Sequence, residues 1–425
     1  MIDPNDLRAR PDAYQEACRV KNISFDVRAY LALDEEYRAL KSEVEKLRSE
    51  QNAFNKELPK LSGDAKQAKL AAMKDLATQV KERGAVFAEK EKLWKEQGYR
   101  LPSIPLARVP VGKDDSQNVE IKKVGSIPTF NFSPRSHMEL AKDLDIIDIE
   151  RGVKIAGARS YFLKGDGARL QRAVLSLALD ILHQRGYTIM DPPVIVGYES
   201  MLGTGYFPGG EEQAYHLDQR DDGLHLIGTA EVPVCAYHTD EILPLEQLPK
   251  RYAGISPCFR REAGTYGKDA QGVYRVHQFY KVEQVVICEN SDDVSAQLHQ
   301  ELLANAEAVL AALELPYRVV DVCTGDMGQG QVYKNDIETW MPSRNGYGET
   351  HSCSTFHEFQ ARRLQIRYKN RDGKNTYCHT LNNTLVASPR ILIPILELNQ
   401  ESDGSVRIPK ALQPYFGGQQ KIVRC

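Results

Sequence analysis

The densest set of side chains able to do chemistry in this chain lies in Phe259–Glu283, FRREAGTYGKDAQGVYRVHQFYKVE. The stretch reads as two strands joined by a glycine-punctuated polar loop. Alternation in an extended strand puts Arg260 and Glu262 on one face of the first strand. On the second it groups Arg275, His277, Phe279, Lys281 and Glu283, with Tyr274, Val276, Tyr280 and Val282 opposite. So many charges make a poor core surface, because a buried unpaired charge costs several kcal/mol. The face is therefore either a solvated sheet surface with ordinary ion pairs or a site for a charged, partly aromatic ligand such as a nucleotide.

Other candidates are scattered along the chain. LHLIGTAEV reads as a buried strand, Leu224 to Ile227, followed by Thr229 and Glu231. If extended, these two point to one side; the alternative is a capping pair at the next turn. GTGYFPGG, residues 203–210, is a permissive loop that could cradle phosphate or act as a lid, although it matches no Walker or Rossmann spacing. Near the C-terminus Ser388 suits an N-cap and Pro389 the first helical position. That places Arg390 beside a helix N-terminus, where a cation is locally unfavourable unless an anion joins it. Glu349–Ser354 precedes QARRLQIRYK, read as a basic strand. His351, Cys353 and His357, with Cys378 and His379 downstream, do not have the spacing of a zinc site.

The elements that must position these residues follow from composition and periodicity. A length of 425 residues suits two or three domains, and a net charge of −3 gives no global attraction to polyanions. No run of about 18 apolar residues exists, so no membrane span is expected. The N-terminus lacks a signal-peptide core, and eight cysteines without a C-x-x-C pair suit a reducing cytoplasm. Leu33, Tyr37, Leu40, Val44, Leu47, Gln51, Phe54 and Leu58 recur at spacings of four and three, the seam of a heptad repeat. After the breaker Pro59–Asp64, Met73, Leu76, Val80, Phe87 and Trp94 continue it, with Arg83 and Lys90 in the intervening slots. Two helices joined by one short turn must run antiparallel, each roughly 40–50 Å long. Lys56, Lys60, Lys66, Lys69 and Lys74 cluster near that turn and suit phosphate contacts. Residues 98–118 read as a Pro-rich linker. A helix is expected over 169–184, and GYTIMDPPVIV reads as a strand at a sheet edge or subunit boundary because of Pro192 and Pro193.

Taken in order, these pieces resemble the bacterial-type seryl-tRNA synthetases, within the class II aminoacyl-tRNA synthetases. GYTIMDPP resembles their motif 1, FRREAG…GVYRVHQFYKVE motif 2, and NNTLVASPRILIPILE motif 3. The helical hairpin, VPVGKDDSQNVE, GTGYFP, GTAEVP and ETHSCS…FQARR resemble the pieces particular to seryl enzymes. The resemblance covers essentially the whole chain. It implies an α+β fold: a class II catalytic domain at 119–425, with an antiparallel sheet flanked by helices. It also implies an N-terminal domain at 1–100 carrying a coiled-coil, tRNA-binding arm at about 27–98, and a linker at 101–118.

The resemblance further implies ATP-dependent formation of seryl-adenylate and transfer of serine to tRNA(Ser), and to tRNA(Sec), by a cytoplasmic homodimer joined through motif 1. Arg260, Arg390 and Glu349 would be the catalytic groups. ATP would meet Arg260, Arg261, Glu262, the Val276 backbone, Phe279, Glu349, Thr350, His351, Ser352 and Arg390. Glu349 and Ser352 would hold Mg2+, which needs a bulge or strand end between them. Thr229, Ala230, Glu231, Arg260, Glu283, Asn382 and Thr384 would surround serine. The five lysines of the hairpin would meet tRNA. One departure is Ala270-Gln271 before Gly272, where the family commonly has Thr-Arg; a loop cation is missing. Two other readings are a ligase that loads an amino acid onto a carrier protein, and an inactive RNA-binding paralogue. The long arm counts against the first and the intact ATP positions against the second.

Overall fold

The computed structural model describes residues 1–217, 223–264 and 272–424; Ala270 and Gln271 lie outside them. The chain divides into two units, Met1–Ile104 and Pro105–Cys425.

In the first unit, α1 (Pro4–Ala9) and α2 (Pro11–Val20) precede two long helices, α3 (Val27–Glu57) and α4 (Gly63–Gly98). Asp26 starts α3 by accepting from the Ala29 amide. The heptad seam closes as an antiparallel pair. Tyr37 stacks on Trp94 with ring centroids 4.5 Å apart and on Phe87 at 5.7 Å. The polar slots are used as well: Arg83 meets Glu43 at 2.7 Å and Lys90 meets Glu36 at 2.6 Å across the helices. Gly98 is needed where it stands, because a Cβ there would lie 2.6 Å from the Tyr30 hydroxyl.

Sequence periodicity did not show the polar knot at the base of the hairpin. Asp34 is buried on the seam and accepts from both Arg8 Nε at 2.7 Å and Arg8 Nη2 at 2.9 Å. Arg38 Nε and Trp94 Nε1 also donate to it, each at 3.0 Å. Burial pushes the Asp34 pKa up, yet the bonds from Arg8 and Arg38 outweigh it and hold the carboxyl below the usual range.

In the second unit eight strands form one sheet: β1 (Val119–Val124), β2 (Thr188–Met190), β3 (Lys250–Phe259), β4 (Gln278–Cys288), β5 (Tyr317–Asp321), β6 (Tyr333–Met341), β7 (Gly346–His357) and β8 (His379–Ser388). Their order is β1-β5-β6-β7-β8-β4-β3-β2. Neighbours are antiparallel except β2, which runs parallel to β3 at the edge. The proline-interrupted strand is thus at an edge, as its sequence required. Segment 105–118 is irregular but docked: Val109 packs among Val320, Val322, Met327 and Tyr333.

Helices α5 (Asp166–Gln184) and α6 (Asp292–Ala312) cover one face of the sheet. Leu170, Val174, Leu302 and Val309 join Val282, Val286, Leu381 and Leu385 there in the main core. Phe279, Lys281 and Glu283 take the opposite face of β4, as strand alternation dictates. One face of the sheet is core and the other is site.

Asp34→Ala should lower the stability of the full chain by about 1–2 kcal/mol, because four hydrogen bonds are lost but Arg8 and Arg38 stay partly solvated. A pKa held below the usual range contributes stability above that range and loses it on acidification. The difference in urea midpoint between wild type and variant should therefore shrink as pH falls below 4. A midpoint unchanged at neutral pH would remove the knot from the energetics.

Candidate active site

Four of the sequence expectations change once strand ends are set by pairing. β3 stops at Phe259, so Arg260 and Glu262 lie beyond it, and Glu262 takes φ +51°. β4 begins only at Gln278; Tyr274 and Val276 escape alternation and line the same cavity as Phe279. Ser388 is no N-cap: it ends β8, paired with Tyr280, and donates to Gln171 Oε1 at 3.0 Å. The following helix, Leu392–Leu398, starts two residues beyond Arg390, so the argument from a cation in a helical first turn does not apply. Thr229 does not extend a strand either; its Oγ1 accepts the Glu231 amide at 3.2 Å as Glu231 opens the helix Glu231–Ala236. The bond is a local turn just before the helix, whose N-cap is Ala230.

Two further loops differ. Gly203 and Thr204 end a helix, Tyr198–Thr204, and a Cβ on Gly203 would meet Leu364 at 2.2 Å. Phe207 is fully buried, so this glycine-rich stretch is a packing device that sends Tyr206 into the cavity. QARRL is helical, within Phe359–Leu364, and the strand is confined to Arg367–Lys369.

The cavity on the open face of the sheet measures about 320 Å³. At one end are Glu231, Lys281, Glu283, Asn382 and Thr384. Glu283 and Thr384 are direct cross-strand partners between β4 and β8, which sets their side chains side by side. Glu283 is ion-paired with Lys281. Glu231 accepts from Gln360 Nε2 at 2.7 Å, and Gln360 Oε1 in turn accepts from Thr380 Oγ1 at 2.6 Å. Burial, with the charge of Glu283 second, pushes the Glu231 carboxyl up from 4.5 to about 7.

The other end is cationic. Arg390 donates to the backbone oxygens of Tyr274 and Glu349, each at 3.1 Å, and its guanidinium lies 4.3 Å from the Tyr274 ring centre. Arg260 donates to the Gly228 oxygen at 3.2 Å and sits 5.3 Å from the Phe279 ring centre. Arg275 pairs with Glu262 at 3.3 Å. Burial would raise the Glu349 pKa, but Arg390, Lys334, Arg260 and Arg275 together hold it below the ordinary value.

A bulge joins Glu349 and Ser352. His351 pairs with Ile337 and Glu349 with Glu338, leaving Thr350 extra, so both Glu349 and Ser352 face the cavity. Lys334 lines it beside them and pairs with Asp336 at 2.9 Å; burial pushes Asp336 up to about 6.

Of the residues singled out in the sequence, Arg260, Glu262, Val276, Phe279, Glu349, Thr350, Ser352, Arg390, Glu231, Glu283, Asn382 and Thr384 all line this cavity. Arg261, His351, Thr229 and Ala230 do not. The Arg261 amide bonds to the Gln213 oxygen, and His351 is buried against Thr350 Oγ1 at 2.8 Å. Ala230 is wholly buried beside Gly254, and Thr229 makes the turn already described. Sequence reasoning missed Lys334 and Gln360. The alternation of Lys334, Asp336 and Glu338 was available as a signal for the first; Gln360 gave none.

Two family models match. Residues 1–105 fit the seryl-tRNA synthetase N-terminal domain, and residues 215–399 the class II tRNA synthetase core domain of the G, H, P, S and T enzymes. A serine–tRNA ligase of Deinococcus radiodurans is 46% identical over 99% of both chains. The chain belongs to the seryl-tRNA synthetase family.

Seryl-tRNA synthetases from further lineages agree. The Rhodococcus jostii serine–tRNA ligase is 44% identical over 98% of this chain and 99% of its own. The Pyrococcus horikoshii seryl-tRNA synthetase structure, described as complexed with ATP, superposes with a TM-score of 0.89 at 36% identity over the full length of both chains. That of the Naegleria fowleri cytoplasmic enzyme, with AMP, gives 0.83 at 30% identity over 97% of this chain and 95% of its own. As a seryl-tRNA synthetase the chain has the class II fold and is an aminoacyl-tRNA ligase. No described helix is long and apolar enough to cross a membrane.

The raised Glu231 pKa has a measurable cost. A carboxyl that ionises near 7 when folded and near 4.5 when unfolded favours the fold at low pH and loses that contribution as pH rises through 7. Glu231→Gln should therefore gain stability relative to wild type between pH 5 and pH 8, by about 3 kcal/mol at most. Urea midpoints at the two pH values test this; a difference independent of pH means the carboxyl ionises normally.

Proposed function

We propose that the cavity condenses L-serine with ATP to seryl-adenylate and passes the seryl group to the 3′ end of tRNA(Ser). The observation that carries the reading is the polarity of a single cavity: carboxylates and hydrogen-bonding groups at one end, four cations at the other. Glu283 offers the charge that attracts an ammonium, and Glu231, whose pKa stands at about 7 in the empty site, ionises more fully once that cation is beside it. Glu283 and Thr384, side by side across β4 and β8, suit a hydroxyl reader. A site built to bond a hydroxyl disfavours the analogue lacking it by a factor on the order of 10⁴ or more. An extra methyl in a pocket costs only about 1–3 kcal/mol, so threonine must be excluded by shape.

In the first step a serine carboxylate oxygen attacks the α-phosphorus and pyrophosphate leaves with the electron pair of the broken P–O bond. Such chemistry needs positioning and charge stabilisation rather than a nucleophilic side chain. In this reading Arg260 holds the α-phosphate, and its bond to the Gly228 oxygen supports that role. Arg390 holds the far phosphate of a bent ATP, supported by its bonds to the Tyr274 and Glu349 oxygens. Phe279 and the Val276 backbone frame the adenine. Glu349, kept ionised, and Ser352, on the same side of the bulge, offer the hard oxygen ligands that suit Mg2+. When bound, that ion neutralises phosphate charge. In the second step a ribose hydroxyl of tRNA attacks the adenylate carbonyl and AMP leaves. A second cavity of about 460 Å³ shares Tyr206, Arg260, Glu262 and Arg275 with the first and supports a path for the tRNA end.

The hairpin supplies the tRNA contact. Lys56, Lys60, Lys66 and Lys74 are exposed near the turn between α3 and α4. Lys69 is engaged, 2.7 Å from Glu57 and 3.6 Å from the Phe54 ring centre, and serves the hairpin itself. Ile189 on edge strand β2 and Ile195 beyond Pro193, 44% and 48% exposed, support a homodimer through this region.

Arg390→Ala should depress serine-dependent ATP–pyrophosphate exchange by about 10²-fold or more, as loss of one oriented charge does elsewhere. Near-wild-type exchange would take Arg390 out of the phosphate site. Replacing Lys56, Lys60, Lys66 and Lys74 together by alanine should leave exchange intact, raise KM for tRNA in charging and flatten its salt dependence. Unchanged charging kinetics would assign tRNA binding to other residues.

A further inference from the structure

The sequence cluster of His351, Cys353, His357, Cys378 and His379 is rearranged in the fold. His351 goes to Thr350, and Cys353 packs against His299. His357 and His379 come together, and α6 brings Asp292 to them. We propose that Asp292, His357 and His379 form a binding site for a divalent transition-metal ion of the zinc class, tying the end of β7 and the start of β8 to the first turn of α6.

Four observations carry this. One potential ligand atom from each of the three side chains lies within 4.8 Å of the other two. A tetrahedral ion with bonds of about 2.0–2.2 Å separates its ligand atoms by about 3.4 Å, so binding requires Asp292 to close in and one imidazole to turn until both ring nitrogens converge. Second, the contact between His357 Nε2 and Asp292 Oδ1 is 3.6 Å, too long for a hydrogen bond and suited to a bridging ion. Third, the His379 ring is held from behind: Ser295 Oγ lies 2.7 Å from its Nδ1, the outer-sphere support usual for a ligating imidazole. Fourth, the backbone aims His357 inward. The residue takes φ +48°, at a register shift of β7 against β8, which brings its ring to within 4.4 Å of the His379 ring; the two are near parallel, so ligation turns the His357 ring while Ser295 holds His379.

The donor set suits Zn2+, Co2+ or Ni2+ better than Mg2+, because two imidazoles and one carboxylate form a borderline N2O set. Asp292 is 79% exposed in its side chain and leaves a solvent-facing position for water as fourth ligand. This group is separate from Glu349 and Ser352: those two line the cavity, and Asp292, His357 and His379 do not. It nevertheless sits on the same framework: His379 begins the strand that carries Asn382 and Thr384.

The test uses the full chain, stripped with chelator and titrated with Co2+ and then Zn2+. Expected are one equivalent of Co2+ with the strong visible bands of a tetrahedral site, displacement by Zn2+, and a rise in Tm with either ion. His357→Gln should abolish the bands. Asp292→Asn should weaken binding on the order of tenfold or more, since loss of even an outer-sphere partner costs about 10–100-fold. Asp292 is exposed, so that variant keeps its fold and decides the matter if His357→Gln does not. Serine-dependent exchange with Mg2+ should be unchanged in Asp292→Asn. No Co2+ or Zn2+ binding at micromolar concentration would overturn the proposal. So would binding undiminished in Asp292→Asn, or bands lost instead in Glu349→Gln.

Discussion

Glu349 is the charge on which the catalytic sheet depends. Its side chain lines the cavity and is 44% exposed, and Arg390, Lys334, Arg260 and Arg275 hold its pKa below the ordinary value. Each of those cations would be costly in the partly buried cavity without a counter-charge. Glu349 and Glu262 supply it within the protein, and Asp336 does so for Lys334. Asp326 adds a further carboxylate beside Lys334. What makes this end receptive to polyphosphate is the gathering of four cations in one cavity, although the chain as a whole carries a net charge of −3. At the opposite end Lys281 pairs with Glu283, and Glu231, with its pKa at about 7, is poised to ionise when an ammonium joins it.

What the sequence revealed depended on how local the determining physics was. The hairpin was legible because a heptad seam repeats along the residues themselves, down to the polar slots of Arg83 and Lys90. Phe279, Lys281 and Glu283 were legible because alternation operates within one strand. Arg390 was misplaced for the opposite reason. Ser388-Pro389 suits a helix start locally, but pairing of Ser388 with Tyr280 extends β8 past it. Thr229 and Glu231 likewise follow a helix start that the preceding apolar run conceals.

The site also contains features that no single segment encodes. The bulge at Thr350 arises from the register of β6 against β7, and it alone puts Glu349 and Ser352 on one side. Gln360 bridges Thr380 and Glu231 from a segment that read as a basic strand. Asp292, His357 and His379 come from three elements far apart in sequence. The family resemblance supplied the ordered set of motifs; the side-chain environments had to come from the fold.

The hairpin has a mechanical property that follows from where its apolar contacts stop. Aromatic stacking and the Asp34 knot lie toward its base, and Val44 and Leu76 are the outermost buried seam residues. From 45 to 75 no side chain is fully buried. Opening the far segment therefore exposes little apolar surface and costs little, whereas opening the base costs a core. The arm is a lever clamped at one end and compliant at the other. Its outer turns can conform to an RNA surface while the base keeps the helix axes in register.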